Sequence, residues 1–233
     1  MDCFCGQNTQ NAESDCASGS QGLFSPGDRT GSGFVFGQKM QKMLNTAVWA
    51  LVTLCEEKDP CVAEHQLRVA ELAYAVGKEM GLSEQQSEGI CVMGLVHDIG
   101  KITLPGEILN KTGRLNVEEF NLVKSHPRVG YNVLQNLEFP WPVAQAVLHH
   151  HERLDGSGYP DGLRGDEIIL EAKILAVADV FDSMISHRPY RPAYSPERAL
   201  EEIVRHRGIL YDPGAVDGLC QVNGKCRLVS MRW

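Results

Sequence analysis

The chain has 233 residues, 43% hydrophobic content and a formal charge of −8, enough to bury a sizeable core as one domain with tails. The acidic balance argues against a nonspecific binder of nucleic-acid polymers, whose backbones are held by clustered Lys and Arg; a small phosphorylated ligand stays open, because bound cations reverse a local field. No stretch reaches the roughly 18 uninterrupted apolar residues of a membrane helix, and MDCFCGQNTQ lacks the basic start and apolar run of a secretory signal, so a cytoplasmic protein with no membrane partner is expected.

Residues 1–36 are rich in Gly, Ser, Asn and Gln and read as a flexible leader or linker remnant. The eight Cys, at 3, 5, 16, 55, 61, 91, 220 and 226, form no repeated CxxC framework, so free thiols in a reducing compartment are the default. A metal site at Cys3, Cys5 and Cys16 is the alternative, disfavoured by the flexible leader around them.

From Gln38 apolar residues recur at helical spacing through Met40, Met43, Leu44, Ala47, Val48, Leu51 and Val52. Glu64 to Met80 repeats the pattern, and Gly81 stands where a helix end wants positive φ. Ser83 opens a capping box for a helix running to about His97. Asn116 with Glu119 can cap another, Ile168 to Ser186 is a long apolar helix, and Ser195-Pro196 starts the next. The core is expected to be all-α. Near the end, Asn223-Gly224 between Cys220 and Cys226 suggests a short hairpin.

The chemistry gathers on these helices, with five of the eight His between positions 97 and 151. His149, His150 and His151 stand beside Glu152 and Asp155, ahead of a glycine-rich turn; neutral imidazole is the commonest protein ligand for transition metals. An exposed polar run is the bland alternative. In GLVHDIGKI, His97 and Asp98 end an apolar helical face just before Gly100 and Lys101. Neighbouring helical residues point about 100° apart, so such a pair suits two ions, one on His97 and a second bridged by Asp98, separated by roughly 3.5–4 Å. His150 and His151 allow the same arrangement.

The combination of His65 in EHQLRVAELA, HDIGK at 97–101, KSHPRVG at 124–130, HHERLDGSGYPDGL at 150–163 and ADVFDSMISHRPYR at 178–191 resembles the HD-GYP family, a branch of the HD superfamily of metal-dependent phosphohydrolases. The likeness runs over about residues 59 to 213. It implies an HD-type helical bundle with a buried two-metal centre: a catalytic domain over 37–213 with an N-terminal helix, and a C-terminal extension over 214–233. His65, His97, Asp98, His126, His150, His151 and Asp179 match the family's metal ligands. Lys101 matches the lysine that meets a substrate phosphate, and Lys101 with Asp98 are the expected catalytic residues. Gly158, Tyr159 and Pro160 are the naming signature and, with Arg188, are expected to face substrate. His149, His187 and His206 match no ligand position. Some members bind a third metal through a glutamate where this chain has Cys61, so two metals are expected, and Asp59 is left outside the ligand set.

The resemblance implies a cyclic di-GMP phosphodiesterase that produces linear pGpG, and sometimes GMP, by attack of a metal-bridging hydroxide. Two divalent cations with Asp98 and Asp179 leave a positive cavity that suits a phosphodiester, and Lys101 adds to it. Iron or manganese fits the nitrogen and oxygen ligands, with zinc possible. A homodimer or a diguanylate cyclase domain is the candidate protein partner. The alternatives are a signalling module that binds a cyclic dinucleotide or partner domain without turnover, and an HD-fold di-iron oxygenase; intact ligands disfavour the first, the GYP signature with Lys101 the second.

Overall fold

The computed structural model describes residues 46–187 and 192–224. The leader, residues 38–45 of the first helical pattern, Arg188 and Cys226 lie outside the described residues, as does the side chain of Cys61. The described chain is helical: α1 (46–58), α2 (Pro60–Glu79), α3 (Glu84–Val96), a 3-10 turn (Ile99–Thr103), α4 (Gly106–Leu109), α5 (Val117–Val123), α6 (His126–Leu134), α7 (Val143–His149), α8 (Leu170–Ile185), α9 (Pro196–Arg205) and α10 (Pro213–Val222). Among the described residues β-pairing is limited to two isolated bridges, Asp155 with Arg164 and Arg207 with Tyr211. No helix among them is long and apolar enough to cross a membrane.

Local sequence signals set the helix ends. Gly81, at φ +80°, closes α2, with Leu82 N–H donating to the Gly77 carbonyl and Gly81 N–H to that of Lys78. Ser83 and Gln86 form the capping box of α3, Asn116 and Glu119 that of α5, and the Ser195 hydroxyl accepts from Arg198 N–H at the start of α9.

The core lies where α2, α3, α7, α8 and α10 meet, built from Val69, Ala73, Ile90, Met93, Val147, Ile174, Leu175 and Leu219, all essentially inaccessible. Each large side chain buried there contributes about 1.5–3 kcal/mol. The expected hairpin at the C-terminus is instead the end of a helix. Val216, Leu219 and Cys220 bury at helical spacing, Asn223 caps α10, and Gly224 takes φ +65° behind it. Asn-Gly serves a helix terminus as well as it serves a hairpin, and burial of the α10 face against α2 decided between them.

One close approach positions the site. A Cβ on Gly100 would lie 2.0 Å from the His126 carbonyl oxygen and 2.8 Å from Gly130 N. Only glycine lets the turn after Asp98 press against the start of α6, and that contact sets His126 opposite Asp98.

Candidate metal centre

Three of the cluster histidines occupy helix ends, while His65 sits within α2. His97 caps α3 at its C-terminus, His150 caps α7 in the same way, and His126 is the first residue of α6. Each points its Nδ1 at the carbonyl three residues back: His97 at Gly94 (2.7 Å), His126 at Val123 (2.7 Å) and His150 at Val147 (2.6 Å). A carbonyl only accepts, so each Nδ1 carries a proton, and in the neutral ring Nε2 then presents a lone pair. All three rings are buried.

Those lone pairs meet one another and a carboxylate. Nε2 of His97, His126 and His150 and Oδ1 of Asp98 are buried without a hydrogen-bond partner. His126 Nε2 sits 3.2 Å from Asp98 Oδ1, two acceptors face to face. Leaving such groups unsatisfied costs about 1–3 kcal/mol each, and a cation between them removes that cost. The donor atoms group as His65, His97 and Asp98; as His97, His150 and Asp179; and as His126, His150 and His151, with the atoms of each group within 4.8 Å of one another. All seven residues read as ligands from the sequence therefore converge on one cluster able to hold metal.

Electrostatics match that role. Burial, reinforced by neighbouring His97 and His126, pushes the His150 pKa down to about 3, and burial likewise lowers that of His151, so both rings are neutral donors near pH 7. Burial alone would raise the Asp98 carboxyl; the Lys101 ammonium, 2.5 Å from Oδ2, together with the neighbouring His97 and His126, outweighs it and holds Asp98 well below the usual carboxylate range.

His65 is held differently. Its Nδ1 lies 2.6 Å from Asp182 Oδ2, and its Nε2 lies 3.0 Å from Asp179 Oδ1. Burial would lower its pKa, but the two carboxylates outweigh that and raise it. Arg68 clamps Asp182 through Nε (2.8 Å) and Nη2 (3.2 Å), and Ser186 donates to the same carboxylate. Asp182 was not read from the sequence as part of the site. Its signal is present: it stands three residues after Asp179 on α8, one helical turn along the same face.

The rest of the histidine motif builds the loop, not the cluster. Glu152, 2% exposed, accepts backbone N–H groups from Asp161 (2.7 Å), Gly162 (3.0 Å) and Leu163 (3.1 Å). Asp155 accepts from Ser157 N–H in an exposed turn. A Cβ on Gly158 would lie 2.4 Å from the Glu152 Cα, so the loop folds back over its own start only with glycine there. That brings the Tyr159 ring to 4.7 Å from His151, with a cis bond to Pro160. His149 turns to Asp161 (3.2 Å), His206 to the Glu202 carbonyl, and His187 is exposed.

The HD domain family model matches residues 50–215. The chain belongs to the HD domain family. Its HD-GYP character agrees with its relatives. This HD domain is 42% identical over 180 residues to the cyclic di-GMP phosphodiesterase response regulator RpfG of Xanthomonas campestris, covering 76% of this chain and 47% of that one. It is 41% identical to a cyclic di-GMP phosphodiesterase of Thermotoga maritima (72% and 46% covered) and 39% identical to a 3'3'-cGAMP-specific phosphodiesterase of Vibrio cholerae (67% and 36%). The chain thus spans half or less of the length of these relatives. Among solved structures, the HD domain fold is shared with Bd1817, an HD-GYP-type protein from Bdellovibrio bacteriovorus (TM-score 0.58, 20% identity, 69% of this chain and 51% of that one). It is shared too with the HD domain of the L. monocytogenes phosphodiesterase PgpH (TM-score 0.56, 18% identity, 75% and 97%).

Proposed function

We propose that the chain is a metal-dependent phosphodiesterase that hydrolyses a cyclic dinucleotide, cyclic di-GMP foremost, to a linear product such as pGpG. Two divalent ions are held by His65, His97, Asp98, His126, His150, His151 and Asp179. The observation that carries this reading is the convergence of buried Nε2 atoms, without hydrogen-bond partners, around the Asp98 carboxylate, an arrangement that suits cations. Bound divalent ions lower the pKa of a water to about 7 and offset charge on phosphoryl oxygens.

The chain's own residues supply the rest. Asp98 turns Oδ1 toward His126 and Oδ2 toward His97 and Lys101, as a carboxylate shared between two ions requires. Lys101, a fifth exposed, borders both the cluster and an open groove, and its ammonium is placed to hold a nonbridging phosphate oxygen as charge develops. Tyr159, packed on His151, limits the access of bulk water to the cluster, with Gly158 and Pro160 shaping that loop. A donor set of five imidazoles and two carboxylates suits iron or manganese, while affinity alone does not exclude zinc.

The test is anaerobic metal analysis paired with a product assay on cyclic di-GMP and 3'3'-cGAMP, the two substrates that the relatives' names carry. Metal-loaded protein is expected to linearise cyclic di-GMP, and Asp98→Ala to abolish this without loss of helical content. Fully metallated protein that bound the nucleotide yet made no linear product over hours would replace this reading with that of a binding module.

A further inference from the structure

In a chain with a formal charge of −8, one groove is cationic. It encloses about 610 Å³, within the range of small-molecule sites. Its described lining includes Lys101, Lys111, Arg114 and His187 and no Asp or Glu. Of the lysines and arginine, two are already paired: Lys101 with Asp98, and Lys111 with both oxygens of Glu119, at 2.7 and 2.6 Å. Arg114 is exposed and has no ion-pair partner among the described residues. Beside it the Phe120 ring stands 46% exposed.

The groove reaches the edge of the metal cluster at Lys101. From the groove-lining Phe120 ring, contacts lead on toward the cluster: Lys124 Nζ lies 4.7 Å from the Phe120 ring and 5.4 Å from the Tyr159 ring, which packs on His151. A small diester bound at the cluster would leave this volume to water. A cyclic dinucleotide would not, because its macrocycle carries a second phosphodiester and two purines away from the bond being cut.

Resting on the phosphodiesterase reading above, we propose that this groove seats the nucleotide that is not being cleaved. Arg114 pairs with the second phosphodiester, and Phe120 stacks a purine. Guanidinium matches phosphate in a two-point fork, and an exposed aromatic face accepts any base at about 1–3 kcal/mol per stacked base. Arg114 and Phe120 are thus residues of substrate selection, apart from the metal ligands.

The experiment compares metal-loaded wild type with Arg114→Ala and Phe120→Ala on two substrates, cyclic di-GMP and bis(p-nitrophenyl) phosphate. The ratio of kcat/KM for cyclic di-GMP to that for the small diester is expected to fall at least tenfold in each variant, through KM rather than kcat. An unchanged ratio overturns the groove assignment, as does an equal loss on both substrates, which would place the effect at the cluster. If wild type turns over no cyclic dinucleotide, the phosphodiesterase reading fails on its own, and calorimetric titration with cyclic di-GMP decides the groove. Tenfold weaker binding by Arg114→Ala upholds it; equal affinity, or no binding by wild type, overturns it.

Discussion

His126 Nε2 and Asp98 Oδ1 face each other across 3.2 Å, and because His126 Nδ1 donates to the Val123 carbonyl, the neutral ring turns a lone pair on the carboxylate. Two such acceptors in a buried site are stable neighbours only with a cation between them. Manganese or ferrous iron added to metal-free protein is therefore expected to raise Tm, by the equivalent of about 2.7 kcal/mol at a hundredfold excess over Kd, and chelation to reverse it. In Asp98→Asn, calorimetry should show most of that shift gone. An equal shift in wild type and variant would place the bound metal elsewhere.

Acid should weaken the metal-free fold through His150. The unfolded chain protonates this ring near its ordinary 6.5, whereas the folded chain refuses the proton until about pH 3. The contribution of His150 is therefore fully present above pH 6.5 and is lost as pH falls below it. His65, whose pKa is raised, works in the opposite sense, so the comparison must be made at one residue. Urea midpoints from pH 7.5 to 5 are expected to fall less steeply in His150→Asn than in wild type. Parallel slopes would contradict the burial of a neutral ring.

Gly100→Ala places a methyl group where the His126 carbonyl oxygen now lies 2.0 Å away. Backbone must move on one side, at a cost near the upper end of overpacking, about 3 kcal/mol, and the movement separates His126 from Asp98. Loss of both urea stability and metal uptake is expected. A variant that kept full metal content would show that the turn and α6 can part without disturbing the cluster.

Asp182→Asn keeps the shape of the His65 clamp and removes its charge. Carboxylates that orient a ligating imidazole typically contribute 10–100-fold in metal affinity, so competition titration should show a loss in that range at one ion. Arg68→Gln is expected to act in the same direction with smaller effect, since it touches Asp182 and not the ring. Unaltered affinity in Asp182→Asn would reduce the clamp to packing.

What the sequence made legible was mostly local. Apolar spacing in α2, α3 and α8 and the cap pairs at Ser83, Asn116 and Ser195 act within a few residues, so they could be read without knowing the fold. The C-terminal Asn-Gly could not, since its two uses differ only in what the preceding residues bury. The seven cluster residues were legible through their joint pattern, because no spacing rule links His65 to Asp179, 114 positions away. Asp182 carried a local signal in its spacing from Asp179, but its partners His65 and Arg68 come from α2, and the groove around Arg114 is a tertiary arrangement. The close approach at Gly100 is likewise a tertiary fact.

Each of His97, His126 and His150 is fastened by a bond spanning three residues, His97 and His150 to the helix that each one ends and His126 to the last residue of α5. Their aim is therefore settled by secondary structure before the helices dock, and only the distances between them await assembly. Ions held by the seven cluster residues would cross-link α2, α3, α6, α7 and α8, closing loops of chain much as a set of disulfides does. Starving the protein of metal would thus loosen the architecture itself as well as silence the chemistry.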